Sequence, residues 1–302
     1  IVREELKKPS LHVDMAVHAD AKDLMEALER VVDQGLVKIP VFDGGKGLEG
    51  MTWTETCRMW KERYPVVQPK HLVRDDTKAA NVYALVKELS SRLPEGRITV
   101  VGNGSACVAG GHAYIIKKKQ RFITNSAIAS MGYDLPAAIG ASMAEPGEDI
   151  ILLTGDGSIQ MNLQELQTII HHRMPIKIFL INNGGYHSIR QTQKNFFEEP
   201  LVGIGVDSGD LSFPSMEKLA WAYGYPYVSA RHNGELGDAL EKALGAEGPV
   251  ICEVFVTTDQ NFEPKSAAKR LEDGTMVSPP LEDLAPFLPQ EEMDRNMIIA
   301  RI

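Results

Sequence analysis

The sequence predicts an α/β fold built on a parallel sheet with helices on both faces, a three-layer αβα arrangement. Three observations carry this reading. From Asp76 onward, helical patterns alternate with short β-branched runs at residues 98–101, 150–153, 176–181 and 250–256, the order expected of parallel strands joined by crossover helices. The runs Ile150-Ile151-Leu152-Leu153 and Ile178-Phe179-Leu180-Ile181 are apolar at every position rather than at alternate ones, which marks strands covered on both faces. Two runs end in small, polar loops, Gly102-Asn103-Gly104-Ser105 and Gly155-Asp156-Gly157-Ser158. These loops stand at carboxyl ends of strands, where such sheets take up ligands.

In chain order, residues 20–32 form the first helical pattern, with Leu24, Met25, Leu28, Val31 and Val32 at helical spacing. Residues 1–40 are expected to be the end of a preceding domain. Residues 41–75 read as a linker that partly packs: Asp43-Gly44-Gly45 and the turn from Gly47 to Gly50 lead into an aromatic stretch at 53–64 and then prolines. The regular α/β pattern occupies residues 76–260. From Asp259 the periodicity fades into a segment carrying Pro264, Pro279, Pro280, Pro286 and Pro289, so residues 261–302 are expected to form a tail wrapped over the domain. No internal repeat or low-complexity tract is visible.

The 302 residues, 43% hydrophobic, suffice for one or two cored domains. A formal net charge of -9 argues against a nucleic-acid surface, and the Lys117-Lys118-Lys119 triplet reads as a solvated helix end. Cys57, Cys107 and Cys252 are far apart and odd in number, so neither a disulfide framework nor a zinc site is indicated and a reducing cytoplasm fits. No apolar run reaches the roughly 18 residues that span a bilayer, so no membrane partner is expected. The chain begins at Ile1 rather than methionine, and is expected to be a processed or truncated piece of something longer.

The chemistry concentrates after the strand at 150–154. Gly155-Asp156-Gly157-Ser158 leads into a helix expected from about Asn162, with Glu165 as its capping-box partner. This is a strand, loop, helix phosphate site, in which glycines admit the backbone and helix-start amides favour anions. A diphosphate also calls for a divalent cation, and Asp156 offers it a hard oxygen. The run 176–181 ends in Asn182-Asn183-Gly184-Gly185, which would set an amide oxygen and a bare carbonyl beside Asp156 if the two strands are neighbours. Gly104 and Ser105, in the second glycine loop, are candidates for a terminal phosphate. A glycine loop alone is weak evidence. The 24 residues between Gly157 and Asn182 strengthen it, because they equal one helix plus one strand.

Gly155-Asp156-Gly157, 24 residues, then Asn182-Asn183 resembles the signature of thiamine diphosphate enzymes. The resemblance implies that Asp156, Asn183 and the carbonyl of Gly185 hold magnesium. Further segments are similar to the acetolactate-synthase-like branch, from Glu4-Glu5-Leu6-Lys7-Lys8-Pro9 to Ser130-Met131-Gly132-Tyr133-Asp134-Leu135-Pro136-Ala137-Ala138. By that resemblance Met131 wedges between the cofactor rings and enforces their V shape, while the Met131 amide and Ala129 carbonyl bond the aminopyrimidine edge. An isolated methionine would otherwise read as core packing. The implied cofactor-binding set also takes in Gly104, Ser105, Gly155, Gly157, Ser158, Asn183, Gly185, His187, Ser188 and Ile189. For His187 a hydrogen-bonded structural role stands equally open. His171 and His172, at a helix end, read as structural, Glu198 and Glu199 as solvated charge, and Cys107 as a small helix residue.

The implied reaction is decarboxylation of a 2-oxo acid such as pyruvate and transfer of the acyl carbanion to a second carbonyl. Simple decarboxylation, or a scaffold that keeps the cofactor fold without chemistry, are the alternatives. The family's general base is a glutamate from a separate pyrimidine-binding domain, which these 302 residues do not carry, so the chain alone is expected to turn over poorly. The resemblance also implies a homo-oligomer, dimer or tetramer, with the site shared between subunits. In Gln191-Thr192-Gln193 the sequence departs from the family's biosynthetic members, which place a tryptophan between the two glutamines, so Thr192 points to a different or bulkier acceptor.

Overall fold

The computed structural model describes residues 13, 15–37, 47–197, 200–270 and 273–298. The segment from Glu4 to Pro9, Asp43-Gly44-Gly45, Glu198 and Glu199 lie outside the described residues. Two units divide the chain, Ile1–Glu62 with Asn296–Ile302, and Arg63–Arg295.

In the smaller unit, helix α1 (Ala21–Asp33) starts where Asp20 accepts a hydrogen bond from the Lys22 amide at 2.8 Å, satisfying one orphan donor of a helix start. Its apolar positions Leu24, Met25 and Leu28 are exposed. Helix α2 (Trp53–Arg63) begins with a reciprocal pair. Glu55 accepts from the Thr52 amide at 2.8 Å, and the Thr52 hydroxyl accepts from the Glu55 amide at 3.3 Å. Trp53 and Trp60 then meet edge to face with centroids 5.7 Å apart.

The larger unit alternates helices and strands: α3 (Val82–Arg92), β1 (Ile98–Val101), α4 (Ser105–Ala113), β2 (Arg121–Thr124), α5 (Asp134–Ala144), β3 (Ile150–Gly155), the single turn α6 (Asp156–Ile159), α7 (Glu165–His171), β4 (Ile176–Asn182), α8 (His187–Phe196), α9 (Met216–Tyr223), β5 (Tyr227–Ala230), α10 (Leu236–Leu244) and β6 (Val250–Phe255). The strands form one sheet in the order β2-β1-β3-β4-β6-β5, parallel throughout. Ile151 and Leu153 of β3 join an apolar cluster with α3, α4 and α10, whereas Ile150 and Leu152 join another with α5, α7 and α9. Both faces of the strand are therefore dry, which explains its unbroken apolar run. Each such side chain contributes roughly 1.5–3 kcal/mol by leaving water. The predicted three-layer α/β fold is what the chain adopts.

Strands β2 and β5 were not legible as apolar runs. They are the two edges of the sheet, and β2 reads Arg-Phe-Ile-Thr with both ends exposed, as edge strands tolerate. Two local expectations are corrected. The Lys117-Lys118-Lys119 triplet lies beyond α4, not at a helix end, and the Lys117 ammonium donates to the carbonyls of Ser91 and Leu93 at 2.6 and 2.5 Å. It thereby covers orphan carbonyls at the carboxyl end of α3. The capping box at Asn162 and Glu165 does not form. A turn of 3-10 helix at Gln160–Asn162 intervenes, α7 begins at Glu165 itself, and the Glu165 carboxylate accepts from the Thr168 hydroxyl at 2.9 Å. Within the segment expected to be a partly packing linker, residues 53–63 form α2.

After β6 the chain forms a small ribbon, β7 (Lys269–Arg270) with β8 (Met276–Val277), and ends its described part in α11 (Gln290–Asn296). Where the proline-rich segment begins it is tied to α3: the Tyr83 hydroxyl donates to the Glu263 carbonyl at 3.1 Å and accepts from the Glu263 amide at 2.9 Å.

Candidate functional site

From β1 the chain crosses outward to β2 and then returns to β3 on the other side of β1. This reversal leaves a crevice at the carboxyl ends of β1 and β3 that no crossover helix covers. β4 is the other neighbour of β3, with Gly155 opposite Ile181. Register alone therefore brings Gly102 to Ser105, Gly155 to Ser158 and Asn182 to Gly185 to one place.

Asp156 follows β3 directly and is 3% exposed. Its two carboxylate oxygens accept from the amides of Gly157 and Gly185, each at 3.0 Å. Burial pushes its pKa up to about 7, against the opposing pull of the Gly157, Gly185 and Gly184 amides and the Arg190 guanidinium. A carboxyl so placed gains most from a cation that repays the lost solvation. Asn183 is also buried, at 6% exposed. Its Nδ2 donates to the Ser105 hydroxyl at 2.9 Å, and its Oδ1 is buried with no hydrogen-bond partner. An orphaned amide oxygen costs about 1–3 kcal/mol unless a ligand takes it up. Gly185 presents a φ of +141°, and a Cβ there would stand 2.0 Å from the Ile204 carbonyl oxygen. One carboxylate, one unsatisfied amide oxygen and a glycine carbonyl suit magnesium, which takes few protein oxygens and keeps the rest for phosphate and water.

Around this donor set lies a cleft of about 100 Å³. Its wall includes Gly104, Ser105, Met131, Gly155, Gly157, Ser158, Asn183, Gly185, His187, Ser188 and Ile189, together with Asn103 and Tyr186. Neither Asp156 nor Ala129 belongs to that wall; Ala129 precedes Met131 by two residues, with a φ of +57°. At Gly157 a Cβ would come within 2.4 Å of the Tyr186 ring, so only glycine lets these two loops close on each other. Two predicted side chains are already engaged within the protein. The Ser158 hydroxyl donates to Asp134 at 2.9 Å and accepts from the Gly132 amide at 3.0 Å. The His187 Nε2–H donates to the Gln260 carbonyl at 3.0 Å, its Nδ1 faces Arg190 at 3.4 Å, and burial lowers its pKa.

Sequence reasoning did not single out Asp134 or Arg190. Asp134 is fully buried and accepts from the Thr154 and Ser158 hydroxyls and, at 3.0 Å, from the Leu135 amide. It ties the turn carrying Met131 to the end of β3, helped by Asn162, whose amide donates to the Gly132 carbonyl at 2.6 Å. Arg190, also fully buried, makes two 2.8 Å bonds to Asp207. An acid opening a helix and an arginine within one look like ordinary surface positions, so neither carried a signal. His171 and His172 close α7, with ring centroids 4.8 Å apart, and Cys107 lies within α4.

The comparison with known proteins settles the family. The family described as "Thiamine pyrophosphate enzyme, C-terminal TPP binding domain" matches residues 102–254, from the first glycine loop to the last strand. The chain belongs to the thiamine pyrophosphate enzymes. Within them it is similar to acetolactate synthase large subunits: 32% identical over 217 residues to that of Porphyra purpurea, 32% over 265 residues to that of Cyanidium caldarium, and 30% over 207 residues to isozyme 2 of Escherichia coli. These alignments cover 72%, 85% and 68% of this chain but 35%, 43% and 37% of the relatives. This thiamine pyrophosphate enzyme chain thus spans less than half the length of the relatives it matches. Among the described residues no helix is long and apolar enough to cross a membrane.

Proposed function

We propose that this chain is the diphosphate- and magnesium-binding part of an acetolactate synthase-like enzyme that decarboxylates a 2-oxo acid, pyruvate foremost, and passes the acyl unit to a second carbonyl. One observation carries the metal part of the reading: the partnerless buried Oδ1 of Asn183 stands at the same strand ends as buried Asp156. Asp156, Asn183 and the Gly185 carbonyl would hold the ion. Gly104, Ser105 and the amides after Gly155 would receive phosphate oxygens, as helix starts do. Thiamine diphosphate, when bound, supplies the electron sink for breaking the bond to the carboxylate. The protein's share is to bind it, bend it over Met131 and keep water from the reacting atoms.

Ser188 is shared between this cleft and a neighbouring cavity of about 500 Å³, lined also by Gln191, Thr192, Phe196 and Phe262. That room beside the short Thr192 side chain favours an acceptor bulkier than the one a tryptophan would admit. Ile189 and Phe196, on the walls of the two cavities, are 45% and 66% exposed, which favours a second subunit across the site. The test is calorimetric titration of thiamine diphosphate into the protein with and without magnesium. Metal-dependent binding that Asp156→Ala abolishes and Asn183→Ala weakens less is expected; unchanged affinity in Asp156→Ala would sink the metal assignment.

A further inference from the structure

Arg190 is among the largest fully buried side chains of the protein, and a buried guanidinium is costly unless every donor is met. Its Nε and Nη2 donate to the two carboxylate oxygens of Asp207, each at 2.8 Å, a bidentate fork. Asp207 lies in the short 3-10 turn Val206–Ser208, and its side chain stays 43% exposed. Nη2 also donates to the Gly184 carbonyl at 3.3 Å, and Nη1 approaches Nδ1 of His187 at 3.4 Å. Around this fork two segments pair antiparallel at Gly185 and Gly205. The Tyr186 amide donates to the Ile204 carbonyl at 2.7 Å, and the Val206 amide to the Gly184 carbonyl at 3.2 Å.

The planarity of the peptide unit turns these contacts into a positioning device. The Gly184 carbonyl, gripped by Arg190, shares a rigid plane with the Gly185 amide, which bonds Asp156. In the next plane, the Tyr186 amide bonded to Ile204 fixes the direction of the Gly185 carbonyl. We propose that Arg190 and Asp207 are a positioning pair that aims the Gly185 peptide groups at the metal position and cancels the guanidinium charge that would otherwise oppose a dication there. The proposal rests on the magnesium reading of that turn.

The experiment measures magnesium affinity by calorimetry in the presence of saturating thiamine diphosphate, and amide hydrogen exchange at Tyr186 and Val206 without metal. Three variants are compared with the parent protein: Asp207→Asn, Arg190→Lys and the double variant Arg190→Met with Asp207→Asn. Asp207→Asn leaves a buried cation unpaired and should weaken magnesium binding by about tenfold or more, with faster exchange at both amides while those of β4 stay protected. Arg190→Lys keeps the charge but loses the fork, and should also loosen the turn. The double variant removes both charges and should bind magnesium more tightly than Asp207→Asn alone. A purely structural role would instead open the sheet, and the amides of β4 would lose protection in Asp207→Asn together with those of Tyr186 and Val206. Magnesium affinity within about twofold of the parent in Asp207→Asn, or a double variant no better than the single one, would overturn the proposal. If the parent itself shows no magnesium-dependent binding, the metal reading has failed and the pair is judged by exchange. Unchanged exchange at Tyr186 and Val206 in Asp207→Asn would then overturn it as well.

Discussion

Replacing Asp156 by asparagine should make the metal-free protein more stable at alkaline pH while destroying its response to magnesium. The Asp156 carboxyl ordinarily titrates at 3.8, and burial raises it to about 7 in the folded state. A carboxyl raised in this way favours the fold fully below 3.8 and loses that contribution as pH climbs through about 7. The difference corresponds to roughly 4 kcal/mol of strain from the ionised group at pH 8 in the absence of a cation. Asparagine removes the charge but cannot accept from both the Gly157 and Gly185 amides, a loss of about 1–3 kcal/mol. The net gain at pH 8 is therefore about 1–3 kcal/mol. At pH 5 the protonated aspartate carries a similar donor conflict and the gain should vanish. Urea unfolding followed by circular dichroism in EDTA at the two pH values measures this directly. With the magnesium–thiamine diphosphate complex at about a hundred times its dissociation constant, the parent should gain roughly 2.7 kcal/mol and the variant nothing. An Asp156→Asn protein less stable than the parent at pH 8 in EDTA would refute the reasoning, since the buried carboxylate would then be adequately solvated by its amides.

Gly185→Ala should be expressed poorly or lose at least ~3 kcal/mol of stability, because the new Cβ meets the Ile204 carbonyl and φ is strained; thermal denaturation reads this. Leu152→Ala, in the centre of β3 and fully buried, should cost about 2–5 kcal/mol in urea unfolding without altering the ligand cleft. Met131→Ala in the complete enzyme should lower turnover while leaving diphosphate affinity nearly intact, and a loss of affinity with normal turnover would show that its role is different. The 302-residue chain, saturated with cofactor and magnesium, should consume pyruvate far more slowly than about one per second, and gain activity when a pyrimidine-binding domain carrying a glutamate is supplied.

Much of this protein could be read from residue order. Unbroken apolar runs such as Ile150 to Leu153 can only be buried on both faces, so they announce a covered parallel sheet and, at their ends, a ligand edge. The spacing from Gly157 to Asn182 encodes a helix and a strand, the length that returns the chain to an adjacent strand, and β3 and β4 are indeed neighbours. Edge strands β2 and β5 left no such mark, because their outer sides need not be apolar.

Tertiary structure alone decided which polar groups are satisfied. Nothing in the letters distinguishes Ser158, whose hydroxyl is taken by Asp134 and Gly132, from Asn183, whose amide oxygen is left without a partner. Nor does the sequence reveal that Asp134 and Arg190 are buried, since each looks like a residue that would ordinarily face water. Local pattern reports periodicity and chain direction, which depend on residues a few positions apart. Hydrogen-bond satisfaction and the desolvation of a charge depend on groups as distant in sequence as Asp156 from Gly185 or Arg190 from Asp207, and these meet only when the sheet has formed.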